Sequence, residues 1–149
     1  NDSITAAEVS NNLSQIGAEN VVEVLDNIFN GKSKFIEQKH KLASYAKKIK
    51  KSEAKINWNE NAKNIIAKIN GLNPSPGAWF MYKNTRYKIW KALISEKKGS
   101  PGTIHDNNFI IGCGDKSIKI AEIQKEGKNK LLLKDFLLGM NFKIGDLVE

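Results

Sequence analysis

The five residues Asn73-Pro74-Ser75-Pro76-Gly77 divide the chain into two hydrophobic rhythms that cannot share one secondary structure. Two prolines there remove backbone donors and resist helix, so the segment reads as a rigid connector. Before it, apolar residues recur mainly at helical spacing. After it the period changes to two, the period of strands. A chain divided in this way is expected to be α+β, with its helices first and a small antiparallel sheet afterwards.

Thr5-Ala6-Ala7-Glu8 has the capping-box pattern, in which hydroxyl and carboxylate each satisfy an orphan amide at a helix start. Val9, Leu13 and Ile16 follow at i, i+4 and i+7, and Gly17 is expected to stop this helix. Val21, Val24, Leu25 and Ile28 outline a second helix that Asn30-Gly31 ends. Each has one apolar stripe, and the polar residues that follow offer little to bury it. A partner surface elsewhere is expected. Residues 32–55 are polar and weakly periodic, an extended linker with one helical turn near Lys51–Ala54. In a third helix Ala62, Ile65, Ile66 and Ile69 line one face, Asn57 or Asn59 is the expected cap, and Gly71 closes it.

Residues 78–83 and 86–94 flank Asn84-Thr85 and read as a hairpin. In its second strand Tyr87, Ile89 and Lys91 alternate with Lys88, Trp90 and Ala92. Beyond the turn Gly99-Ser100-Pro101-Gly102, residues 103–105, 108–113 and 117–124 are strand candidates, with Asp106-Asn107 and Gly114-Asp115 as turns. Residues 131–139 read as a short apolar helix or strand, and Gly145-Asp146-Leu147-Val148 as a terminal piece. Short strands at such close spacing suggest a small antiparallel OB-like β-barrel, with an SH3-like barrel as the alternative.

Charge is distributed as unevenly as hydrophobicity. The chain of 149 residues is formally +8, with Arg86 as its one Arg among 24 basic residues. Residues 1–30 carry Asp2, Glu8, Glu19, Glu23 and Asp26 and no base, a net −5. Residues 32–55 carry nine Lys against Glu37 and Glu53, a net +7, and residues 56–149 a net +6. The densest point, Lys47-Lys48-Ile49-Lys50-Lys51, reads as a polyanion footprint or as a solvated basic connector. With 17 Asn beside its lysines, part of this charge fits an AT-rich coding bias.

Several classes drop out. The lone Cys113 can form no internal disulfide and no thiolate metal site, which suggests a reducing compartment, the cytoplasm. No run of 18 apolar residues exists, so no helical membrane span is expected. The 40% apolar content supports a packed core. His40 lies among lysines with no evident pocket, and His105 lies beside a turn; neither has an orienting partner in the sequence. Cys113, between two glycines on an apolar strand, reads as a small core residue. No P-loop, GxGxxG or HExxH motif is present, so catalytic, cofactor-binding and metal sites are all expected to be absent. Binding is better supported. Arg86, Tyr87, Lys88, Trp90 and Lys91 set bases and aromatics on one strand, and Trp79, Phe80 and Tyr82 face them across the hairpin. Cations for phosphates and rings for bases are what nucleic acid requires, although alternation must send half of the rings into the core. The candidate contacts are Lys47, Lys48, Lys50, Lys51, Lys55, Arg86, Lys88 and Lys91.

Tyr45-Ala46-Lys47-Lys48-Ile49, Glu53-Ala54-Lys55-Ile56-Asn57-Trp58 and Asn73-Pro74-Ser75-Pro76-Gly77-Ala78 together resemble the C-terminal half of the methionyl-tRNA formyltransferases. Lys88-Ile89-Trp90-Lys91-Ala92, Pro101-Gly102-Thr103-Ile104 and Lys134-Asp135-Phe136-Leu137-Leu138-Gly139 continue the agreement in order. Upstream, Leu13-Ser14-Gln15-Ile16-Gly17-Ala18 looks like the last helical stretch of that family's catalytic domain, and Gln38 matches a Gln of its linker. The chain departs from the family at Asn57, where an Asp usually precedes the Trp, and near Asn70, where an Arg is usual.

The resemblance implies residues 1–31 as the helical tail of a Rossmann-like formyltransferase domain, 32–55 as a basic interdomain linker and 56–149 as an OB-like tRNA-binding domain. A chain that begins Asn1-Asp2-Ser3-Ile4, without an initiator Met, is expected to be the middle of something longer. In the family the catalytic domain binds 10-formyltetrahydrofolate, carries an Asn, a His and an Asp, and formylates the amino group of initiator methionyl-tRNA. Its His-Pro-Ser-Leu-Leu-Pro signature is absent here, so no catalytic or folate residue carries over and this portion alone is expected to be inactive. The remaining role is to attract and register tRNA phosphates, as a monomer joined to its catalytic domain. Two other readings stay open: a free-standing RNA-binding OB module, and the tail of a sugar-amine formyltransferase or formyltetrahydrofolate hydrolase-like relative. A third is a structural tail that positions the catalytic domain and touches no nucleic acid.

Overall fold

A computed structural model describes residues 4–140 and 142–149. The first three residues of the expected helical tail, Asp2 among them, lie outside the described residues. The chain divides into two compact units, one spanning Ala7–Ile49 and one that contains Lys50–Glu149.

The first unit is a helix followed by chain that is mostly without regular secondary structure. Helix α1 runs unbroken over Ala6–Phe29, so the expected division at Gly17 does not occur. One glycine inside a helix costs about 0.5–1 kcal/mol relative to alanine. Stopping there would create two new ends, each with four unpaired backbone groups. The helix ends at Gly31 instead, whose φ of 66° is left-handed. Lys32 N–H donates to Asn27 O at 2.8 Å and Gly31 N–H to Ile28 O at 3.1 Å, the two bonds of a Schellman cap. No residue of α1 is buried, and Val9, Leu13, Ile16, Val24, Leu25 and Ile28 are all exposed. Beyond it, up to Lys50, the chain has no regular secondary structure apart from a 3-10 turn at His40–Leu42.

The second unit opens with the 3-10 turn Lys51–Ala54, at the expected place, which buries Ala54 and leads Ile56 and Trp58 into the core. Helix α2, Ala62–Gly71, buries the expected stripe of Ala62, Ile65, Ile66 and Ile69. Its cap is Asn61, whose side chain accepts the Asn64 N–H at 2.8 Å. Neither Asn57 nor Asn59 caps it, because Asn57 Oδ1 accepts the Asn59 N–H at 3.2 Å in a local turn. Asp115 Oδ1 takes the Ala62 N–H at 2.8 Å, tying the helix start to a turn far along the chain.

Strands β1 (Trp79–Tyr82) and β2 (Thr85–Ser95) form the hairpin. Tyr82 pairs with Thr85, so the loop is Lys83-Asn84 rather than Asn84-Thr85. Both loop residues have positive φ, 46° and 59°, the geometry that matches the twist of the flanking strands. β2 pairs with β4 (Ser117–Lys125), whose other edge pairs with β3 (Ile110–Gly112) and β5 (Leu131–Leu132), all antiparallel. Register shifts between Ile89 and Ala92 re-phase β2. Tyr87, Ile89 and Ala92 are buried, while Lys91, expected on the same face as Tyr87, is exposed. An extra residue in a strand inverts the facing of everything after it.

The five strands do not close into the expected OB-like barrel, since the path β1-β2-β4-β3 leaves β1 and β3 as its ends. Residues 103–105, expected as a strand, make only single bridges, Thr103 to Leu147 and Ile104 to Ile111. Main-chain bonds nevertheless run through this region. Ile104 N–H donates to Asp146 O at 3.0 Å and Val148 N–H to Gly102 O at 2.8 Å, while Met81 and Glu149 exchange bonds of 2.6 and 2.9 Å. Residues 131–139 contain both of the structures between which the pattern was ambiguous, β5 and then the short helix α3, Leu133–Leu137. The result is a mixed unit of helix and antiparallel sheet around one core.

That core sets a cluster of aromatic rings among buried isoleucines. The Phe80 ring stacks on Tyr87 at 5.5 Å between centroids and meets Trp58 edge-on at 5.8 Å, and Phe142 stacks on Phe109 at 4.0 Å. Two aspartates pin its edges. The Tyr82 hydroxyl donates to Asp146 Oδ2 at 2.5 Å and Lys83 Nζ lies 2.9 Å from the same oxygen, which together hold the Asp146 carboxyl below the usual aspartate range. The Ala62 N–H does the same for Asp115. A carboxyl depressed in the folded state stabilises in full above its unfolded pKa, and that stabilisation is lost as pH falls through the folded value. Thermal midpoints should therefore be flat near neutrality and fall below about pH 4. Asp115→Asn with Asp146→Asn should flatten that acid limb in a pH series of melting curves.

Candidate nucleic-acid interface

The hairpin divides its aromatics between two faces, as alternation requires. Phe80, Tyr82 and Tyr87 are buried, whereas Trp79, Lys88 and Trp90 are half-buried on the opposite face, Trp79 also packing against the hydrophobic core. Register sets Trp79 opposite Lys88, and Lys88 opposite Gln124. Lys55 joins the row from outside the hairpin: it bridges to Trp79, and the Ile56 N–H donates to Trp79 O at 2.8 Å. Lys55 Nζ lies 5.9 Å from the centroid of the Trp79 ring, and Lys88 Nζ 5.4 Å from that of Trp90. Cation and ring thus alternate along Lys55, Trp79, Lys88 and Trp90.

Both indoles are held by their N–H groups. Trp79 Nε1 donates to Lys51 O at 3.2 Å. Trp90 Nε1 donates to Gln124 Oε1 at 3.0 Å, and Gln124 Nε2 donates to Lys128 O at 2.7 Å. Gly77 completes the support. Its φ is +82°, and a Cβ there would lie 2.9 Å from the Trp90 ring and 3.1 Å from Lys88 Cδ. Nothing local in the sequence marks Gln124 or Gly77 for this role, because each acts through strand register or a close approach.

The remaining candidates lie elsewhere. Arg86 is in an ion pair with Glu126 at 2.5 Å, an exposed pair that contributes little to stability but occupies its guanidinium. Lys91 is exposed, opposite Glu122 in register. Lys50 and Lys51 are exposed where the second unit begins, and Lys51 reaches the row through its carbonyl alone. Lys47 and Lys48 are exposed in a part of the first unit without regular secondary structure. The structure therefore gathers Lys55 and Lys88 on the two tryptophans and leaves Arg86 and Lys91 without a ring contact among the described residues.

Nothing in the other reactive groups suggests a nucleophile. Cys113 is buried, and burial pushes its thiol up to about 12, so it stays protonated near neutrality, as a core residue would. His40 is exposed in its 3-10 turn. The His105 ring packs against Gly99 and Gly112, where any Cβ would collide with it, and its Nε2 is buried without a hydrogen-bond partner among the described residues. Among the described residues no three His, Cys, Asp or Glu groups cluster as a metal site, and no helix is long and apolar enough to cross a membrane.

Residues 48–141 match the model of the formyl transferase C-terminal domain. The chain belongs to that family. Curated relatives that the chain matches are named methionyl-tRNA formyltransferase. That of Pelagibacter ubique (strain HTCC1062) is 49% identical over 139 residues, which are 93% of this chain and 45% of the relative. That of Rickettsia prowazekii is 39% identical over 140 residues, 93% of this chain and 46% of the relative. The chain spans just under half the length of these two relatives. Among solved structures, a HypX variant from Aquifex aeolicus superposes with a TM-score of 0.70 at 23% identity, covering 92% of this chain and 26% of that one. HypX in complex with tetrahydrofolic acid gives a TM-score of 0.61 at 23% identity, over 88% of this chain and 26% of that one. At that identity the likeness is one of fold. All five of the quoted motifs from Glu53 onward, carrying Lys55, Lys88 and Lys91, fall inside the matched range.

Proposed function

We propose that this formyl transferase C-terminal domain and its basic lead-in hold tRNA for an enzyme that transfers a formyl group from 10-formyltetrahydrofolate to the amino group of initiator methionyl-tRNA. In this reading residues 1–31 are the helical tail of a Rossmann-like catalytic domain, and the exposed stripe of α1 is the surface that domain covers. Residues 32–55 are the linker and 56–149 an OB-like domain. Folate and the chemical step belong to the catalytic domain, so the chain alone transfers no formyl group. The whole enzyme works as a monomer in the cytoplasm, at translation initiation.

The observation that carries this is the row Lys55, Trp79, Lys88, Trp90, with the lysines of residues 47–51 ahead of it, in a chain 49% identical to a methionyl-tRNA formyltransferase. Cations on an outer sheet face contact phosphates, and phosphate contacts fix register without reading sequence. The OB-like reading is supported by the main-chain bonds of residues 102–104 and 146–149, which lead from the β3 side of the sheet to β1. A second reading is favoured by the fold likeness to HypX: a domain that positions a folate-dependent catalytic domain and touches no nucleic acid. Filter binding of the 149-residue chain to initiator methionyl-tRNA separates the two. The proposal expects retention at low salt, with log K falling linearly as log salt rises. No retention at low salt would leave the second reading.

A further inference from the structure

The two outer tryptophans look at first like stacking platforms for bases, yet their ring faces are engaged by lysines. Lys55 Nζ stands 5.9 Å from the Trp79 centroid and Lys88 Nζ 5.4 Å from the Trp90 centroid. Neither ammonium has an acidic partner among the described residues, which sets them apart from Lys83, whose Nζ stands 4.7 Å from the Tyr82 centroid and is also paired with Asp146. Both rings are in turn fixed by their N–H bonds, Trp79 to Lys51 O and Trp90 to Gln124 Oε1. Trp90 is held further: Asn73 Nδ2 donates to its carbonyl at 3.1 Å, and Gly77 leaves room for its ring and for the Lys88 stem together.

We infer that Trp79 and Trp90 are positioning residues: each holds one lysine ammonium, Lys55 and Lys88 respectively, unpaired and oriented for a tRNA phosphate, and neither indole stacks on a base. This rests on the tRNA-holding reading above. The physical reason is that a free lysine loses more rotamer freedom than most side chains when it is fixed. A ring that already restrains the ammonium removes part of that loss before the phosphate arrives, while a carboxylate partner would also restrain it but would have to be displaced. A cation–π contact suits the task because it is weak, holds the charge near the surface and leaves its donors available. Glu122, Glu126 and Asp146 are instead paired with Lys130, Arg86 and Lys83.

A double-mutant cycle on Trp90 and Lys88 tests this, with tRNA affinity of the 149-residue chain measured by filter binding at fixed salt. Lys88→Ala and Trp90→Leu should each weaken binding by about threefold, the size of one exposed cation–π contact. The double variant should be no weaker than Lys88→Ala alone. Trp90→Phe, which keeps a ring face, should restore most of the loss. NMR supplies a readout without tRNA: the Lys88 ε-methylene protons should be shifted upfield by the ring and return to ordinary values in Trp90→Leu. Losses that add in the double variant would mean that the indole touches RNA itself and would overturn the inference. So would an unshifted Lys88 in the unmodified chain, a reading that survives any folding defect in Trp90→Leu. If the unmodified chain binds no tRNA at all, the tRNA-holding reading fails first and takes this one with it.

Discussion

Phe80→Ala is expected to lower the unfolding free energy of the Lys50–Glu149 unit by about 3–5 kcal/mol, the range for deleting a fully buried aromatic ring. The ring is 0% exposed and sits at the centre of the aromatic cluster, stacked on Tyr87, edge-on to Trp58 and 6.4 Å from Phe109. Those neighbours come from the chain before α2, from β2 and from the lead-in to β3, so no one element can shift to fill the space. Much of the cavity should therefore persist, which places the cost toward the upper end of the range. The midpoint of urea unfolding, followed by circular dichroism, measures it. Phe80→Leu should cost distinctly less because it keeps most of the buried volume. Equal losses in the two variants would show that ring geometry, and not volume, is what the core needs. Phe80 is next to Trp79 on β1, so the alanine variant should also loosen the outer row; a Lys55–Trp79 contact cannot outlast its strand.

The largest effect on binding is expected from replacing Lys47, Lys48, Lys50 and Lys51 together by Ala. Each phosphate neutralised contributes roughly 0.7–0.9 to the slope of log K against log salt. If all four lysines meet phosphates, the slope should fall by about 3, and most of the affinity at low salt should go with it. All four are exposed, and Lys51 supports Trp79 through its main chain, so alanine leaves that bond and the fold intact. Replacement by Arg should keep the slope, since the term counts charge. An unchanged slope in the alanine variant would confine tRNA contact to the sheet face, where Lys55 and Lys88 lie. The two outcomes are separable because the variants at Lys88 report the sheet face alone.

The sequence was most informative where a signal is local. The helical stripe of Ala62, Ile65, Ile66 and Ile69, the turn at Lys51–Ala54, the hairpin near Asn84 and the core role of Cys113 all depend on spacing or on neighbours within one turn. Gly17 misled because glycine punctuates only where an alternative ending is cheaper, and here the Schellman cap at Gly31 already provided one. Lys91 misled because a bulge in β2 shifts the alternation, and a bulge arises from the register of two strands. The caps of α2 divide in the same way. Asn61 was available to a local reading, but the bond from the Ala62 N–H to Asp115 spans 53 positions.

The candidate interface follows that pattern. Composition alone established a net +7 over residues 32–55 and a hairpin rich in lysine and aromatics. Which tryptophans face outward, which lysine stands over which ring, and that Arg86 is taken by Glu126 were settled only by tertiary structure. The physical reason is range. Charge and hydrophobic period are properties of neighbouring residues, fixed as soon as the chain is written. A lysine over an indole needs two segments brought together by a sheet whose register no single segment contains.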